Sequence, residues 1–201
     1  MDGVLIESED SNIKFFQDLI ESFGYPRPSA RRIKSFLHLT SKDMIKTLLP
    51  SEPVERIEEI WRRGFKIYSK YLRYIKLKPG VKSALEKLSK KFTLRIVTSR
   101  VRSSVESILK KFNLKKYFEV IITFEDYENP KPHPEPLLKA LEKLKLDPNE
   151  AIYVGDTISD FEAAKRAGMK VIIYSKKKLP VPLTVNSLEE IISIVDPLGS
   201  E

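Results

Sequence analysis

The stretch that decides the fold spans residues 151–174 and reads AIYVGDTISDFEAAKRAGMKVIIY. Within it, a near-continuous apolar run leads through a polar turn to a helical pattern that ends at Gly168, and a second apolar run follows. This order predicts a strand over residues 151–154, a helix over residues 159–167 and a parallel strand over residues 170–174. Such continuous apolar strands are typical of a sheet that helices cover on both faces.

The same alternation extends over the chain from about Pro79 onward. It predicts helices over residues 80–90, 103–112 and 135–144, strands over residues 93–97 and 120–124, a short strand near Leu183 and a last helix capped by Asn186 or Ser187. We therefore expect an α/β fold with a doubly wound parallel sheet.

Residues 11–78 show a different pattern, because their apolar residues recur with the 3.6-residue period of helices and no convincing strand lies among them. Ser11 is the predicted N-cap of the first of these helices, and Pro53 begins a long one. We interpret this stretch as an all-helical domain inserted into the α/β core. The expected domains are a core over residues 1–10 and 79–201 and a helical domain over residues 11–78.

Composition narrows the class of protein. The 201 residues are 41% hydrophobic, which suffices for one ordinary domain with an insertion, and the absence of cysteine excludes disulfides, thiolate metal sites and a cysteine nucleophile. The formal net charge is +8, but the lysines are scattered over amphipathic segments and no nucleic-acid motif accompanies them. We expect a cytoplasmic monomer or homodimer with no nucleic-acid partner and no membrane segment, since long apolar windows and a signal peptide are both missing.

Polar residues follow the predicted strands, at the sheet edge where ligands bind in open α/β folds. They are Asp2 near the N-terminus, Thr98 and Ser99 after the strand at 93–97, Lys131 between two prolines, and Asp156 and Asp160 after the strand at 151–154. Carboxylates, a hydroxyl and a lysine that converge in this way suit a phosphoryl group bound with Mg²⁺.

Each of these residue types has a chemical reason. Asp156 is the best protein ligand for Mg²⁺, which binds oxygen and keeps several waters. Asp160, one helical turn further on, could bind the metal, hold one of its waters or orient Lys131. Lys131 offers positive charge and Thr98 a hydroxyl donor to the oxygens of the phosphoryl group.

Four segments, in this order and spacing, resemble the motifs of the haloacid dehalogenase superfamily of phosphohydrolases, in the subgroup with a helical cap between its first two motifs. They are DGVL at residues 2–5, IVTS at 96–99, KPHP at 131–134, and VGDT at 154–157 with Asp160; KPGV at 78–81 resembles the junction from cap to core. The resemblance implies a Rossmann-like core, Mg²⁺ as cofactor and a small phosphorylated substrate, as in phosphoglycolate-phosphatase-like enzymes.

The resemblance also implies a mechanism in which one aspartate attacks phosphorus and a second, two residues later, protonates the leaving group. Its register makes Asp2 the acid/base and places the nucleophile one position before Met1. Asp2 cannot easily serve as the nucleophile itself, because the residue two positions later would then have to be the acid, and Val4 has no proton to donate. We expect the chain as written to be inactive, with its start methionine assigned too late and the first, central strand also missing; a protein that works without the nucleophile is the alternative.

The sequence thus predicts a Mg²⁺-dependent phosphohydrolase that acts through an aspartyl-phosphate. The predicted catalytic residues are Asp2, Thr98 and Lys131; the predicted substrate-binding residues are Gly3, Ser99 and Arg100; the predicted metal ligands are Asp2, Asp156 and Asp160. A non-catalytic phosphate- and metal-binding module of the same fold and a phosphomutase are the alternatives.

Overall fold

Two units make up the chain in a computed structural model, which describes residues 1–199. The core unit comprises Met1–Ile6 and the residues from Leu77 onward, and the helical unit is Glu7–Lys76. Both junctions lie a few residues before the predicted ones. None of the helices in the described part of the chain has the length and apolar character needed to cross a membrane.

The helical unit contains four α-helices followed by a 3₁₀ segment, and its sequence period explains why. The helices are α1 (Glu9–Glu21), α2 (Ala30–Ser35), α3 (Ser41–Leu48) and α4 (Val54–Ile67), and the 3₁₀ segment is Tyr68–Tyr74. Their apolar stripes form one cluster of buried side chains, which includes Leu19, Ile33, Ile45 and Ile60. The predicted helical character of this stretch is confirmed.

Two details of the prediction were wrong. Helix α1 begins at Glu9, so Ser11 is no N-cap; it is buried inside the helix, where its hydroxyl donates to the Tyr71 carbonyl at 3.0 Å. The predicted all-helical stretch also contains a short strand, because β2 (Lys76–Leu77) pairs with β1 (Ile6–Glu7). Strands of two residues are too short to produce a detectable period.

The core unit alternates strands and helices as the sequence predicts. Its elements are α5 (Val81–Leu88), β3 (Leu94–Val97), α6 (Arg102–Phe112), β4 (Phe118–Ile122), α7 (Glu135–Glu142), β5 (Ile152–Gly155), α8 (Ile158–Arg166), β6 (Lys170–Tyr174), β7 (Thr184–Val185) and α9 (Leu188–Val195). Ser187 caps α9, since its hydroxyl accepts from the Glu190 amide at 3.1 Å. The unit is an α/β domain with a Rossmann-like arrangement of parallel strands.

Neighbouring residues of β3 pack into different apolar clusters, which shows that helices cover both faces of the strands. Ile96 belongs to a cluster with residues of α5, α6 and α9, whereas Val97 belongs to one with residues of α7 and α8. Successive side chains of a strand point to opposite faces. This double burial explains the continuous apolar runs of the sequence.

Strands β3 to β7 form two separate parallel sheets. Strand β3 pairs with β4, and β5, β6 and β7 pair in that order, but no strand within residues 1–199 joins β3 to β5. Residues 1–5 form a turn, in which the Leu5 amide donates to the Met1 carbonyl at 2.8 Å, and the backbone of Asp2 forms an isolated β-bridge with Ile6 instead of a strand. The first strand implied by the family resemblance is therefore not formed by these residues, as the sequence analysis expects.

The hydrogen bonds of Asp18 make part of the stability of the helical unit depend on pH. The Tyr71 hydroxyl donates to Asp18 Oδ2 at 2.7 Å, and Arg27 donates to Asp18 Oδ1 at 2.8 Å. Burial works against the charged form of Asp18, but these two donors hold its pKa below the ordinary aspartate value.

We expect Tyr71→Phe to lower the free energy of unfolding by about 1 kcal/mol at pH 7, because it removes one hydrogen bond to a charged group. Since the pKa of Asp18 is depressed in the folded state, this stabilisation is present above the ordinary aspartate pKa and is lost as the pH falls through the folded-state value. Urea unfolding of both proteins at pH 7 and pH 3 tests this, with Tyr74→Phe as control. A difference that does not shrink at pH 3 would contradict the role of Asp18.

Candidate active site

Asp160 is fixed by the way helix α8 begins. The hydroxyl of the N-cap residue Thr157 accepts from the Asp160 amide at 3.1 Å, and the Asp160 carboxylate accepts from the Thr157 amide at 3.2 Å. This reciprocal capping box starts the helix directly after β5. Gly155 makes room for it, because an ideal Cβ at that position would overlap the Asp160 side chain.

Both oxygens of Asp160 are occupied by hydrogen bonds. Oδ1 accepts from Lys131 Nζ at 2.5 Å and from the Tyr153 hydroxyl at 2.9 Å. Oδ2 accepts from Thr157 Oγ1 at 2.8 Å and from the amides of Asp156 at 3.1 Å and Thr157 at 3.2 Å. A carboxylate with five donors has little capacity left for a metal ion. The contacts therefore favour one of the three roles open to Asp160, the orientation of Lys131.

Lys131 and Asp160 form a buried ion pair, with side-chain exposures of 13% and 5%. Burial raises the pKa of Asp160, but the facing Lys131 outweighs it and holds that pKa below the ordinary value. Burial likewise opposes the charged form of Lys131, yet the facing Tyr153 and Asp160 raise the pKa of the ammonium group above that of an ordinary lysine. Both partners are therefore charged at neutral pH.

Asp156, the residue after β5, is a carboxylate of a different kind. Within residues 1–199 the structure records no hydrogen bond to its side-chain oxygens, while its amide donates to Asp160. Burial, and then the charge of Asp160, raise the pKa of Asp156 to about 6. Its carboxylate packs against Gly3, where an ideal Cβ would overlap it and where φ is +66°. Gly3 thus has two reasons to be glycine: its backbone conformation and its contact with Asp156.

Asp2 and Arg100 form a second ion pair. Arg100 Nε donates to Asp2 Oδ2 at 2.7 Å and Nη2 donates to Oδ1 at 2.6 Å, so the guanidinium binds the carboxylate in a bidentate manner. Thr98, at the end of β3, is buried, and its hydroxyl accepts from the Arg100 amide at 3.3 Å. Ser99 is exposed, and its side chain interacts with the Tyr127 hydroxyl.

The predicted site residues thus fall into two connected groups. Lys131, Asp156 and Asp160 form one group; Asp2, Thr98 and Arg100 form the other, and Gly3 links them by its contact with Asp156. The Met1 nitrogen is buried and interacts electrostatically with members of both, Asp2 and Asp160 among them. The two groups therefore border a single place at the carboxyl ends of β3 and β5.

The sequence did not indicate that Tyr153 belongs to the site or that Lys78 contacts Gly3 and Tyr174. The Tyr153 hydroxyl accepts from Lys131 Nζ at 3.0 Å and donates to Asp160, so it completes the surroundings of the ion pair. The Lys78 ammonium donates to the Gly3 carbonyl and lies 4.0 Å from the centre of the Tyr174 ring. No local pattern marks these contacts. The pattern Thr-x-x-Asp at 157–160, in contrast, is a visible capping box that predicts the place of Asp160.

The fit of this site to a magnesium ion can be judged from its donors. No group of three His, Asp or Glu side chains suitable for a metal occurs in the described part of the chain. Asp160 and Asp2 form ion pairs with cations of the protein, whereas no ion pair of Asp156 occurs among residues 1–199. Magnesium is commonly bound by one or two carboxylates with waters and substrate oxygens completing the shell. The site therefore fits Mg²⁺ with Asp156 as the side-chain ligand.

The core thus brings a buried lysine, an aspartate without an ion pair among residues 1–199 and a threonine hydroxyl to one edge of its parallel strands. The family model described as haloacid dehalogenase-like hydrolase matches residues 1–174. The chain belongs to this family.

Individual relatives agree with the family assignment. Pyrophosphatase PpaX of Bacillus pumilus is 33% identical over 171 residues, which cover 85% of this chain and 78% of that protein. Phosphoglycolate phosphatase of Aquifex aeolicus is 28% identical, with 98% of this chain and 94% of that protein covered. The crystal structure of a haloacid dehalogenase superfamily hydrolase from Geobacter sulfurreducens has a TM-score of 0.74 at 33% identity and covers 96% of this chain and 92% of its own.

We expect Lys131→Met to lower the free energy of unfolding by about 3 kcal/mol, because it leaves the buried charge of Asp160 without its cation. Lys139→Met is the matched control. Lys139 Nζ lies 3.7 Å from Glu135 with 41% of the side chain exposed, so its loss costs at most about 0.5 kcal/mol. Urea unfolding measures both changes, and equal small losses would show that the buried pair is not a structural constraint.

Proposed function

We propose that this protein is a Mg²⁺-dependent phosphohydrolase that acts on a small phosphorylated metabolite through an aspartyl-phosphate. The observation that carries the proposal is that two neighbouring carboxylates, Asp156 and Asp160, differ in their hydrogen-bond partners. Asp160 is saturated by donors and holds Lys131, whereas Asp156 faces the same place and the structure of residues 1–199 records no donor to its carboxylate. A positively charged lysine beside an uncommitted carboxylate suits an anionic phosphoryl group with its metal ion.

Asp156 would hold the magnesium ion, and its raised pKa marks a carboxylate that gains from a nearby cation. Asp2 belongs to the second group of residues, which borders the same place, and its oxygens are a second source of ligands once the Arg100 contact is released. When bound, the ion supplies positive charge that offsets the negative charge of the phosphoryl oxygens.

The other residues have distinct tasks. Lys131, which Asp160 and Tyr153 keep in place, would bind one phosphoryl oxygen, and the Thr98 hydroxyl at the end of β3 would donate to another. Ser99 is exposed beside it and remains a proposed contact of the substrate. These groups neutralise and orient the phosphoryl group, which is most of what phosphoryl transfer requires of a protein.

The transfer itself needs a nucleophilic carboxylate. Its oxygen forms a bond to phosphorus as the bond from phosphorus to the leaving oxygen breaks, and Asp2 gives its proton to that oxygen. Asp2 then takes a proton from water, whose oxygen attacks phosphorus as the bond to the carboxylate breaks. The family resemblance implies that this nucleophile stands one position before Met1, outside residues 1–201.

The relatives support this class of substrate. Their names state pyrophosphatase and phosphoglycolate phosphatase activity, and both names describe small molecules that carry a phosphoryl group. We accordingly expect a small phosphorylated substrate, and we expect neither nucleic acid nor a membrane as partner.

Asp156→Asn should weaken Mg²⁺ binding by about tenfold or more, because it removes the only uncommitted carboxylate of the site within the described residues. Isothermal titration of Mg²⁺ into residues 1–201 measures this without requiring turnover. Glu128→Gln, in the exposed loop before Lys131, removes the same charge outside the site and should leave Mg²⁺ affinity unchanged. An Asp156→Asn protein with undiminished Mg²⁺ affinity would refute this metal site.

Phosphate release tests the function as a whole. Residues 1–201 are compared with the same chain preceded by a short apolar segment that ends in Asp, and with a matched segment that ends in Asn. We expect Mg²⁺-dependent phosphate release only with Asp, and a loss of about 100-fold or more when Asp2→Asn is added to that protein.

A non-catalytic phosphate- and metal-binding module is the second candidate, and the observation that favours it is the ion pair in which Arg100 holds both oxygens of Asp2, the proposed acid. It predicts that Mg²⁺ and inorganic phosphate bind to residues 1–201 and that none of the three proteins releases phosphate. Equal phosphate release with Asp and with Asn before Met1 would contradict the aspartyl-phosphate mechanism.

A further inference from the structure

Tyr127 lies in the segment that joins the end of β4 to Lys131, and its side chain connects the core to the loop after β3. The ring is buried in the apolar cluster that also contains Val97 of β3 and Leu137 of α7. The hydroxyl donates to the Thr98 carbonyl at 3.3 Å. A ring that is anchored in the core thus holds the backbone of a loop residue through one hydroxyl group.

The Tyr127 hydroxyl has a second partner, and the directions of its two hydrogen bonds follow from their chemistry. A backbone carbonyl can only accept, so the phenolic proton goes to Thr98. Burial raises the pKa of Tyr127 above the ordinary tyrosine value, and a hydrogen bond with the Ser99 side chain acts against this rise. A bond that lowers the pKa of a phenol is one that its oxygen accepts, so Ser99 is the donor. One hydroxyl therefore holds two consecutive residues of the loop.

Backbone contacts fix the same loop to the turn after β4. The Arg100 carbonyl accepts from the Phe124 amide at 2.9 Å. The Arg102 amide donates to both carboxylate oxygens of Glu125, at 2.9 and 3.0 Å. The loop after β3 and the turn after β4 are therefore joined at several points, and Tyr127 is the residue whose side chain extends this connection into the loop.

The segment between β4 and α7 is fixed at its other end as well. The Glu135 carboxylate of α7 accepts from the amides of Glu128 at 3.0 Å and Asn129 at 2.9 Å. Lys131 follows two residues later, and its ammonium group interacts electrostatically with the Tyr127 hydroxyl. A single segment, tied down at both ends, therefore carries both the tyrosine that holds the loop after β3 and the lysine of the proposed site.

We propose that Tyr127 is a positioning residue, which holds Thr98 so that its hydroxyl and the ammonium group of Lys131 bind the same phosphoryl group. The inference rests on the proposed function, because it takes Thr98 and Lys131 as the groups that bind this phosphoryl group. The Thr98 hydroxyl accepts from the Arg100 amide at 3.3 Å, and a hydroxyl that accepts one hydrogen bond still has its proton to donate. The direction of that hydroxyl depends on the Thr98 backbone, whose carbonyl Tyr127 holds. Tyr127 thus acts through Thr98 and does not contact the ligand.

The affinity for inorganic phosphate measures this role without requiring turnover. Isothermal titration of phosphate, with Mg²⁺ present, into residues 1–201 compares the wild type with Tyr127→Phe, Thr98→Val and the double variant. In a further protein 4-aminophenylalanine replaces Tyr127, because its N–H group can still donate to the Thr98 carbonyl. Tyr117→Phe is the matched control, since Tyr117 is half-buried directly before β4, at the opposite end of that strand. Mg²⁺ affinity without phosphate and urea unfolding are measured for every protein.

We expect Tyr127→Phe to weaken phosphate binding about fivefold, the change that corresponds to the loss of one hydrogen bond. The protein with 4-aminophenylalanine should regain most of this affinity. Thr98→Val should also weaken phosphate binding, and adding Tyr127→Phe to it should cause no further loss, because Tyr127 acts through Thr98.

Two further readouts separate positioning from a purely structural role. Tyr127→Phe should leave Mg²⁺ affinity unchanged, because Asp156 would hold the ion, and Tyr117→Phe should bind phosphate as the wild type does. A purely structural role of Tyr127 would lower the free energy of unfolding in urea and leave the phosphate affinity of the folded protein unchanged.

Four results would overturn the inference. They are equal phosphate affinity of the wild type and Tyr127→Phe, no recovery with 4-aminophenylalanine, a loss with Tyr127→Phe that persists in the Thr98→Val protein, and a parallel loss of Mg²⁺ affinity. If the wild type and Tyr127→Phe bind phosphate equally, the positioning role fails while the proposed function stands. If the wild type does not bind phosphate, the proposed function fails and this inference fails with it.

Discussion

The buried ion pair between Lys131 and Asp160 is the interaction on which the rest of the site depends. Asp160 starts helix α8, receives the amide that follows β5 and holds the lysine of a distant loop, all through one carboxylate. Helix capping and charge neutralisation are thereby coupled, so the geometry of the site is set by the same contacts that set the fold. Breaking a pair of this kind costs several kcal/mol, a large part of the stability of an ordinary domain.

The saturation of Asp160 gives its neighbour a different chemistry. Asp156 lies four residues earlier and is only half-buried, and within residues 1–199 the structure records no donor to its carboxylate. Two carboxylates with opposite shifts of pKa are thus available in one site, one fixed in the charged form and one ready to take a cation. Environment rather than residue type assigns their roles.

Much of the fold is predictable from local sequence. Apolar runs buried on both faces mark β3 to β6, and the helical period marks the insertion, because both signals span several residues. The candidate site residues could be proposed from sequence because the ends of parallel strands meet at one edge of a sheet. Residues 1–5 were expected to lack the first strand, and the structure gives a turn there.

The contacts that define the site could not be predicted in the same way. Asp2 and Arg100 are 98 positions apart, and nothing in either local sequence indicates that they form an ion pair. Tyr153 lies between two apolar residues of β5. Its contacts with Lys131 and Asp160 depend on the face of the strand that its side chain occupies, which the local sequence does not determine. Sequence periodicity does not indicate which strands pair with one another. It therefore predicts neither the two-residue strands β1 and β2 nor the separation of β3 to β7 into two sheets.

The central claim is that Asp156 holds the metal while Asp160 holds Lys131. A crystal structure with Mn²⁺ in place of Mg²⁺ and with inorganic phosphate would test it most directly, because anomalous scattering locates the metal. We expect the metal on the Asp156 carboxylate, the phosphate against Lys131 and Thr98, and Asp160 still bound to Lys131. A metal coordinated by Asp160 with Lys131 displaced, or a metal away from Asp156, would contradict this assignment of the site.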